Sequence, residues 1–190
     1  MIYGNFRFEP TFIEGLILVK TKSFRDDRGS FSEVYNKQSF HAAGITDDFS
    51  QDNQSYSAKG TLRGLHIQCP NYQSKLVRVV SGRVYDVVVD LRKDSSTFGS
   101  YFGIELLSDG GMLYIPEGCA HGFLALEQSV FAYKCNNLYD PNGDVTIDFS
   151  CVEAPWKALA KAHSINQFII SHKDKQGMTI RGYQEKFLGP

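Results

Sequence analysis

Lys75-Leu-Val-Arg-Val-Val-Ser-Gly-Arg-Val-Tyr-Asp-Val-Val-Val-Asp-Leu91 decides the fold class. Two short runs rich in β-branched residues flank Ser81-Gly82, which is the signature of strands and not of helices. In the second run Tyr85, Val87, Val89 and Leu91 share one face, while Val84, Asp86, Val88 and Asp90 share the other. Neither face is plainly wet, as expected of a strand in two stacked sheets with both sides partly covered. The runs Gly15–Lys20 and Tyr101–Leu107 have the same texture, with Gly, Asp, Asn and Ser between them. From about Thr11 to Val152 the chain therefore reads as an all-β sandwich or barrel. Ser81-Gly82 and Asp109-Gly110-Gly111 read as hairpin turns, where glycine supplies positive φ.

Helix is sparse. Asn36–Ala43 predicts two turns ended by Gly44, and Pro155–His163 predicts two to three turns with proline in the first. Residues Arg181–Pro190 read as a poorly ordered tail. There is no internal repeat or low-complexity tract, so the 190 residues are read as one domain with a β core and short, mainly C-terminal helices.

Twenty Lys+Arg balance twenty-one Asp+Glu, for a net charge of -1, which argues against wholesale nucleic-acid binding. With 42% hydrophobic residues the chain can fill a core, and disorder is excluded as its main state. No stretch approaches the ~20 apolar residues of a membrane span. The N-terminus lacks a signal pattern, so a cytoplasmic location is expected. Four widely spaced cysteines (Cys69, Cys119, Cys135 and Cys151) read as reduced thiols.

The densest chemical signal is Gly60-Thr-Leu-Arg-Gly-Leu-His-Ile-Gln68 followed by Ser74-Lys-Leu-Val-Arg78. A histidine can serve as a general base near neutral pH, a lysine can hold an oxyanion, and an arginine suits phosphate oxygens. The same spacing also describes a half-buried histidine beside two solvated cations. On an unbroken strand Arg63 and His66 would point to opposite faces, unless Gly64 hosts a bulge that re-aims one of them. In Ile115–Phe123, His121 stands between small residues with room for a ligand or for backbone contacts. In Val130–Tyr139, read as a strand, Tyr133, Cys135, Asn137 and Tyr139 share a face too polar for a dry core without partners. Phe24–Glu33, Gln51-Asp-Asn53 and Ile170–Lys175 read by themselves as solvated loops. There is no phosphate-cradling glycine loop, no Gly-x-Ser-x-Gly elbow and no metal-ligand histidine spacing.

Taken in order, Phe24–Glu33, Gln51-Asp-Asn53, Arg63-Gly-Leu-His66, Lys75-Leu-Val-Arg78, the run Val84–Arg92 with Ser95–Gly99, Ile115–Phe123, Tyr133-Lys-Cys and Ser171-His-Lys-Asp174 closely resemble the dTDP-4-dehydrorhamnose 3,5-epimerase family. The resemblance covers about residues 12–180. It implies an all-β, cupin-type jelly-roll β-sandwich that needs no metal or other cofactor. It also implies a homodimer in which N-terminal strands are exchanged and the partner supplies part of the site. The implied substrate is a nucleotide-linked 4-keto-6-deoxy sugar, inverted at C3, C5 or both. By position, His66 is the implied base, Asp174 its partner, Lys75 the enolate-stabilising cation and Tyr133 the acid. Arg28, Phe31, Glu33, Gln51, Asn53, Arg63, His121 and Tyr139 fall at implied substrate-binding positions. Ile67, Ser30, Leu138 and the stretch Ser150–Asn166 depart from the common pattern, which bears on the choice of sugar or nucleotide. Two other functions share parts of this pattern, a sugar-nucleotide 3,4-ketoisomerase and a non-catalytic sugar-nucleotide-binding cupin.

Overall fold

A computed structural model describes residues 1–189. Its strands are β1 (Ile2–Tyr3), β2 (Phe6–Pro10), β3 (Ile17–Thr21), β4 (Ser23–Asp26), β5 (Gly29–Ser32), β6 (Gln51–Ser57), β7 (Thr61–Gln68) and β8 (Lys75–Ser81). These are followed by β9 (Arg83–Asp90), β10 (Tyr101–Leu107), β11 (Met112–Ile115), β12 (Cys119–Ala125), β13 (Ser129–Cys135), β14 (Asp144–Thr146) and β15 (Ile169–Ile170). Among the described residues, three short α-helices, α1 (Lys37–Ala42), α2 (Trp156–Ala162) and α3 (Ile180–Tyr183), together with 3-10 turns at Phe149–Cys151 and Asp174–Gln176 and a π-helical turn at Gln184–Leu188, complete the fold. Among the described residues no helix is long and apolar enough to cross a membrane.

The strands form two stacked sheets. The large one runs β1-β2-β3-β11-β8-β13-β6, and the small one runs β10-β9-β12-β7-β14 with β15 added parallel to β7. Period-two alternation sorts β9 as the sequence predicts. Val84 and Val88 pack between the sheets, whereas Val87, Val89 and Leu91 pack outward under the C-terminal segment. That segment brings Trp156 and Tyr183 onto the small sheet. On the outer side of the large sheet Phe6, Phe8 and Phe40 meet edge to face or tilted, with α1 as the lid.

Both predicted helices form, and α1 is capped at each end. The Asn36 side chain accepts from Ser39 N at 3.1 Å to cap α1, and Gly44, at φ +88°, ends it. Pro155 sits just before Trp156 at the start of α2.

Three expectations are corrected. Ser81-Gly82 and Asp109-Gly110-Gly111 do not close hairpins. Each carries the chain from one sheet to the other, since β8 and β11 lie in the large sheet and β9 and β10 in the small one. Sequence alone shows a turn but not which strand the outgoing segment will pair with. The strand read over Val130–Tyr139 ends at Cys135. The C-terminal residues through 189 are ordered, because Tyr183 is fully buried and anchors them. Pro190 lies outside the described residues.

The hairpin β4–β5 stands apart from both sheets. Phe24 and Phe31 pair across it and are 42% and 70% exposed. A lone two-stranded hairpin is marginal in water, so this element needs something to rest on.

Candidate active site

β7 carries the decisive local feature. His121 on β12 is the partner of His66, while Phe123, two residues on, is the partner of Arg63, three residues back. The extra residue in β7 is a bulge at Gly64, which adopts φ +108°. A Cβ there would lie 2.7 Å from Gly122 Cα and 2.8 Å from His121 O, so only glycine fits. The bulge reverses the alternation, so that Arg63 and His66 line the same cavity. Leu62, Leu65 and Ile67 turn instead to the outer core.

Asp174 arrives from behind. β15 pairs with the first residues of β7, and the turn that follows places the buried Asp174 carboxylate against the bulge. Asp174 Oδ2 accepts from Gly64 N at 3.2 Å, and Oδ1 lies 2.7 Å from His66 Nε2. Burial opposes ionisation of this carboxyl, but the hydrogen bond and charge of His66, then the Gly64 N–H and Ser171, hold its pKa below the usual range. An ionised carboxylate only accepts, so Nε2 carries a hydrogen, and whenever the ring has a single proton Nδ1 is the bare nitrogen that can act as a base.

The large sheet supplies the opposing wall. Cross-strand register places Tyr133 beside Asn53, and Cys135 beside both Gln51 and Lys75. His66, Lys75 and Tyr133 line two adjoining hollows, of about 260 and 160 Å3. Gln51, Asn53, Tyr139 and Asp144 also line the first, and Arg63 and His121 the second. Burial pushes the Lys75 ammonium below its ordinary pKa, against the pull of Cys135, Asp144 and Asp86. Burial likewise pushes the Tyr133 phenol up, so it is protonated at neutral pH and available to donate. Arg63 is steered over the second hollow by Ser57 Oγ at 3.0 Å and Tyr56 O at 3.1 Å. His121 Nε2 is held 2.8 Å from Asp86 Oδ2, which is fully buried.

Nine of the twelve residues singled out from sequence therefore converge: His66, Asp174, Tyr133, Lys75, Gln51, Asn53, Arg63, His121 and Tyr139. Arg28, Phe31 and Glu33 do not join them within one chain. Arg28 chelates Asp26 on the free hairpin, Phe31 is exposed, and Glu33 accepts from Asn5 and Asn36. Sequence reading missed Gln68, Gln73 and Asp144 as lining residues, and Lys173, whose ammonium pairs with Asp144 while Tyr139 OH donates to Asp144 Oδ2 at 2.8 Å. Their only sequence signal is proximity to motifs already noted. A larger hollow of about 310 Å3 on the outer side of the large sheet, near Val34, Arg78 and Met112, contains no histidine. Among the described residues no group of three or more His, Cys, Asp or Glu could hold a metal ion.

This constellation can remove a proton with His66, accept negative charge at Lys75 and return a proton from Tyr133. Comparison with known proteins points the same way. A profile of the dTDP-4-dehydrorhamnose 3,5-epimerase family matches residues 10–182. The dTDP-4-dehydrorhamnose 3,5-epimerase of Methanothermobacter thermautotrophicus is 41% identical over 94% of this chain and 96% of its own. The crystal structure of a dTDP-6-deoxy-D-glucose-3,5-epimerase from Legionella pneumophila, in complex with dTDP-4-keto-L-rhamnose, superposes with a TM-score of 0.82 at 35% identity, covering 93% of each chain. A 3′-monoepimerase from Streptomyces bikiniensis, in complex with dTDP-quinovose, superposes at 0.80 with 27% identity over 93% of this chain and 89% of that one.

Proposed function

The chain belongs to the dTDP-4-dehydrorhamnose 3,5-epimerase family, and from that premise we propose how its residues divide the work. It is an isomerase with the cupin-type β-sandwich of that family, and it inverts C3, C5 or both in a nucleotide-linked 4-keto-6-deoxy sugar. The substrate we assign is dTDP-4-dehydro-6-deoxyglucose. The observation that carries the residue assignment is the His66–Asp174 bond across the Gly64 bulge, in a cavity whose far wall holds Lys75 and Tyr133.

A hydrogen on a carbon next to a ketone is acidic because the carbanion is delocalised onto oxygen. Bare Nδ1 of His66 takes that proton, and the Asp174 carboxylate stabilises the imidazolium as it forms. Lys75 carries the charge at the sugar 4-oxygen, where one preorganised donor contributes about 3–4 kcal/mol. Tyr133 then delivers its phenolic proton to the same carbon from the opposite ring face, which inverts the centre. Return of the proton from His66 to the phenolate, directly or through solvent, resets the pair. Arg63 binds the diphosphate, and His121, Gln51, Asn53 and Tyr139 bind the rest of the nucleotide sugar, His121 accepting at Nδ1 because its Nε2–H faces Asp86.

The free hairpin gives this reading its quaternary element. Arg28 and Phe31 belong to the binding set yet lie off the cleft of their own chain. A second copy that receives the hairpin would cover its apolar pair and complete the neighbouring cleft. The active unit is accordingly a homodimer with shared sites.

Incubation with dTDP-4-keto-6-deoxyglucose in heavy water tests the reaction. Proton NMR should show deuterium at C3, C5 or both, with inverted product and the ketone still at C4. A carbonyl moved to C3 identifies a ketoisomerase, and binding without deuterium uptake identifies a non-catalytic module. His66→Ala should lose all exchange while its circular dichroism and melting stay native. Exchange at near-native rates in that variant would remove His66 from the mechanism.

A further inference from the structure

The far wall of the cleft is fastened from its outer side by a group that the mechanism above does not use. Lys75 is the first residue of β8, and strand ends open most easily, yet this side chain must meet a charge that forms at one atom. Within the large sheet it stands in a row, with Ile115 of β11 on one side and Cys135 of β13 on the other. Period-two alternation turns Lys75 toward the cleft, while Leu76 and Tyr114 project from the opposite face into the outer core. On that opposite side the Asp47 carboxylate, from the loop between α1 and β6, straddles the row. Its Oδ1 accepts from Ser74 Oγ at 2.8 Å and from Asn136 Nδ2 at 3.2 Å, and its Oδ2 accepts from Tyr114 OH at 2.6 Å. Asn136 Oδ1 in turn accepts from Ser74 N at 2.9 Å. One carboxylate thus joins the residue before Lys75, the residue after Cys135 and the residue before Ile115. Ser74 is fully buried, and burial followed by the Asp47 bond pushes the Tyr114 phenol up, so it stays a donor at neutral pH.

We propose that Asp47 is a positioning residue for the epimerisation, a clasp behind Lys75 that fixes where its ammonium meets the sugar 4-oxygen. This rests on the assignment of Lys75 to the enolate oxygen. Three bonds to one carboxylate lock the ends of β8, β11 and β13 together, so the backbone that carries Lys75 has a single setting. The ammonium then meets the enolate without first having to be ordered, and a misplacement of about 1 Å in such a group can cost about 10²-fold in rate. A carboxylate that only closed its loop onto the sheet would act on every catalytic group alike, and that difference can be measured.

Asp47→Ala removes all three bonds. Rates are read as deuterium exchange at the acidic carbon, which Tyr133→Phe retains. In Asp47→Ala kcat should fall at least about tenfold with KM changed less than about threefold, since Lys75 meets its charge only at the transition state. A general loosening of the fold would not reproduce the coupling. Asp47→Ala should cost less than about twofold in a Lys75→Met background, but at least about tenfold in a Tyr133→Phe background. Asp47→Asn keeps an oxygen for Ser74 and Asn136, and its NH2 can donate to the Tyr114 oxygen, so kcat should return to within about threefold of native. A kcat in Asp47→Ala within about threefold of native, an equal cost in the Lys75→Met background, or an Asp47→Asn as slow as Asp47→Ala would each overturn the proposal. Should Asp47→Ala fail to fold, Ser74→Ala, which removes one of the bonds, takes its place. A kcat lowered more than about threefold in the native enzyme but not in Lys75→Met supports the clasp. An unchanged kcat, or the same loss in both backgrounds, overturns it. His66→Ala separates the two levels. Full activity in His66→Ala rejects the underlying site, while an inactive His66→Ala alongside a fully active Asp47→Ala rejects only the role of Asp47.

Discussion

Asp174→Asn is the most informative single change, because it alters one atom and two hydrogen bonds. The carboxylate accepts from Gly64 N with Oδ2 and from His66 Nε2 with Oδ1. An asparagine has one oxygen and an NH2 group, so it cannot accept both. If its oxygen faces Nε2, the NH2 confronts the Gly64 N–H, and a buried donor without a partner costs about 1–3 kcal/mol. If the NH2 faces Nε2 instead, His66 must switch tautomer, and Nδ1 then carries the hydrogen and no longer serves as a base. In either orientation the imidazolium formed during proton transfer loses its counter-charge. The same exchange behind a catalytic histidine in the serine-hydrolase triad lowers kcat about 10⁴-fold. A loss of about 10²–10⁴-fold is expected here, equivalent to about 2.7–5.5 kcal/mol at the transition state. The melting temperature should fall as well, by about 2–12 °C for 1–3 kcal/mol in a chain of this size. Deuterium exchange at the sugar carbons should be followed by NMR well below the variant's melting temperature, so that unfolding does not contribute. A kcat within about threefold of native would refute the role of Asp174 and of the bulge that presents it.

Gly64→Ala should be at least as damaging, because its Cβ meets backbone at 2.7 and 2.8 Å and its φ of +108° disfavours any side chain; a loss of about 3 kcal/mol or more in urea unfolding is expected, together with inactivity. Tyr133→Phe should keep deuterium exchange at the acidic carbon while product inversion falls at least about 10²-fold, and unimpaired inversion by NMR would exclude it as the acid. Asp90, fully buried, accepts from Arg92, Ser95 and Thr97, so Asp90→Asn should cost about 3 kcal/mol at neutral pH. Burial opposes its ionisation, but the Arg92 and hydroxyl hydrogen bonds hold its folded pKa below the unfolded value. Its contribution is therefore full above about pH 4 and lost as pH falls toward the folded pKa, so the stability gap between native and variant should narrow in acid. Mixed and re-annealed His66→Ala and Arg28→Ala chains should regain about a quarter of native activity, because each heterodimer of a randomly paired population has one intact site. Activity no higher than that of the separate variants, with heterodimers shown to be present, would count against shared sites.

The β class, the faces of β9 and the limits of α1 and α2 were legible in the sequence, because period-two alternation, caps and glycine stops act over a few residues. Arg63, His66 and Lys75 stood out as one dense signal, but their spacing equally described a half-buried histidine beside solvated cations, and Tyr133 joined them only through the family resemblance. The parity of Arg63 and His66 was posed by the sequence as a question. It was answered only when Gly122 of β12 closed on Gly64 and left no room for a Cβ. The two sheet-crossing turns were misjudged for a related reason, since a local glycine signal is blind to the partner of the next strand.

What the sequence determined by itself is therefore the inventory, comprising the strands, the helix ends and the reactive groups set by local chemistry. The tertiary structure alone decided which of those groups meet. It brought the solvated-looking Ser171-His-Lys-Asp174 behind β7, placed Lys75 and Tyr133 across from His66, and set Asp86 beneath His121. The physical reason is distance along the chain. Asp174 lies 108 residues from His66, and no pattern of a few residues encodes a contact that forms only when two sheets close on a common core.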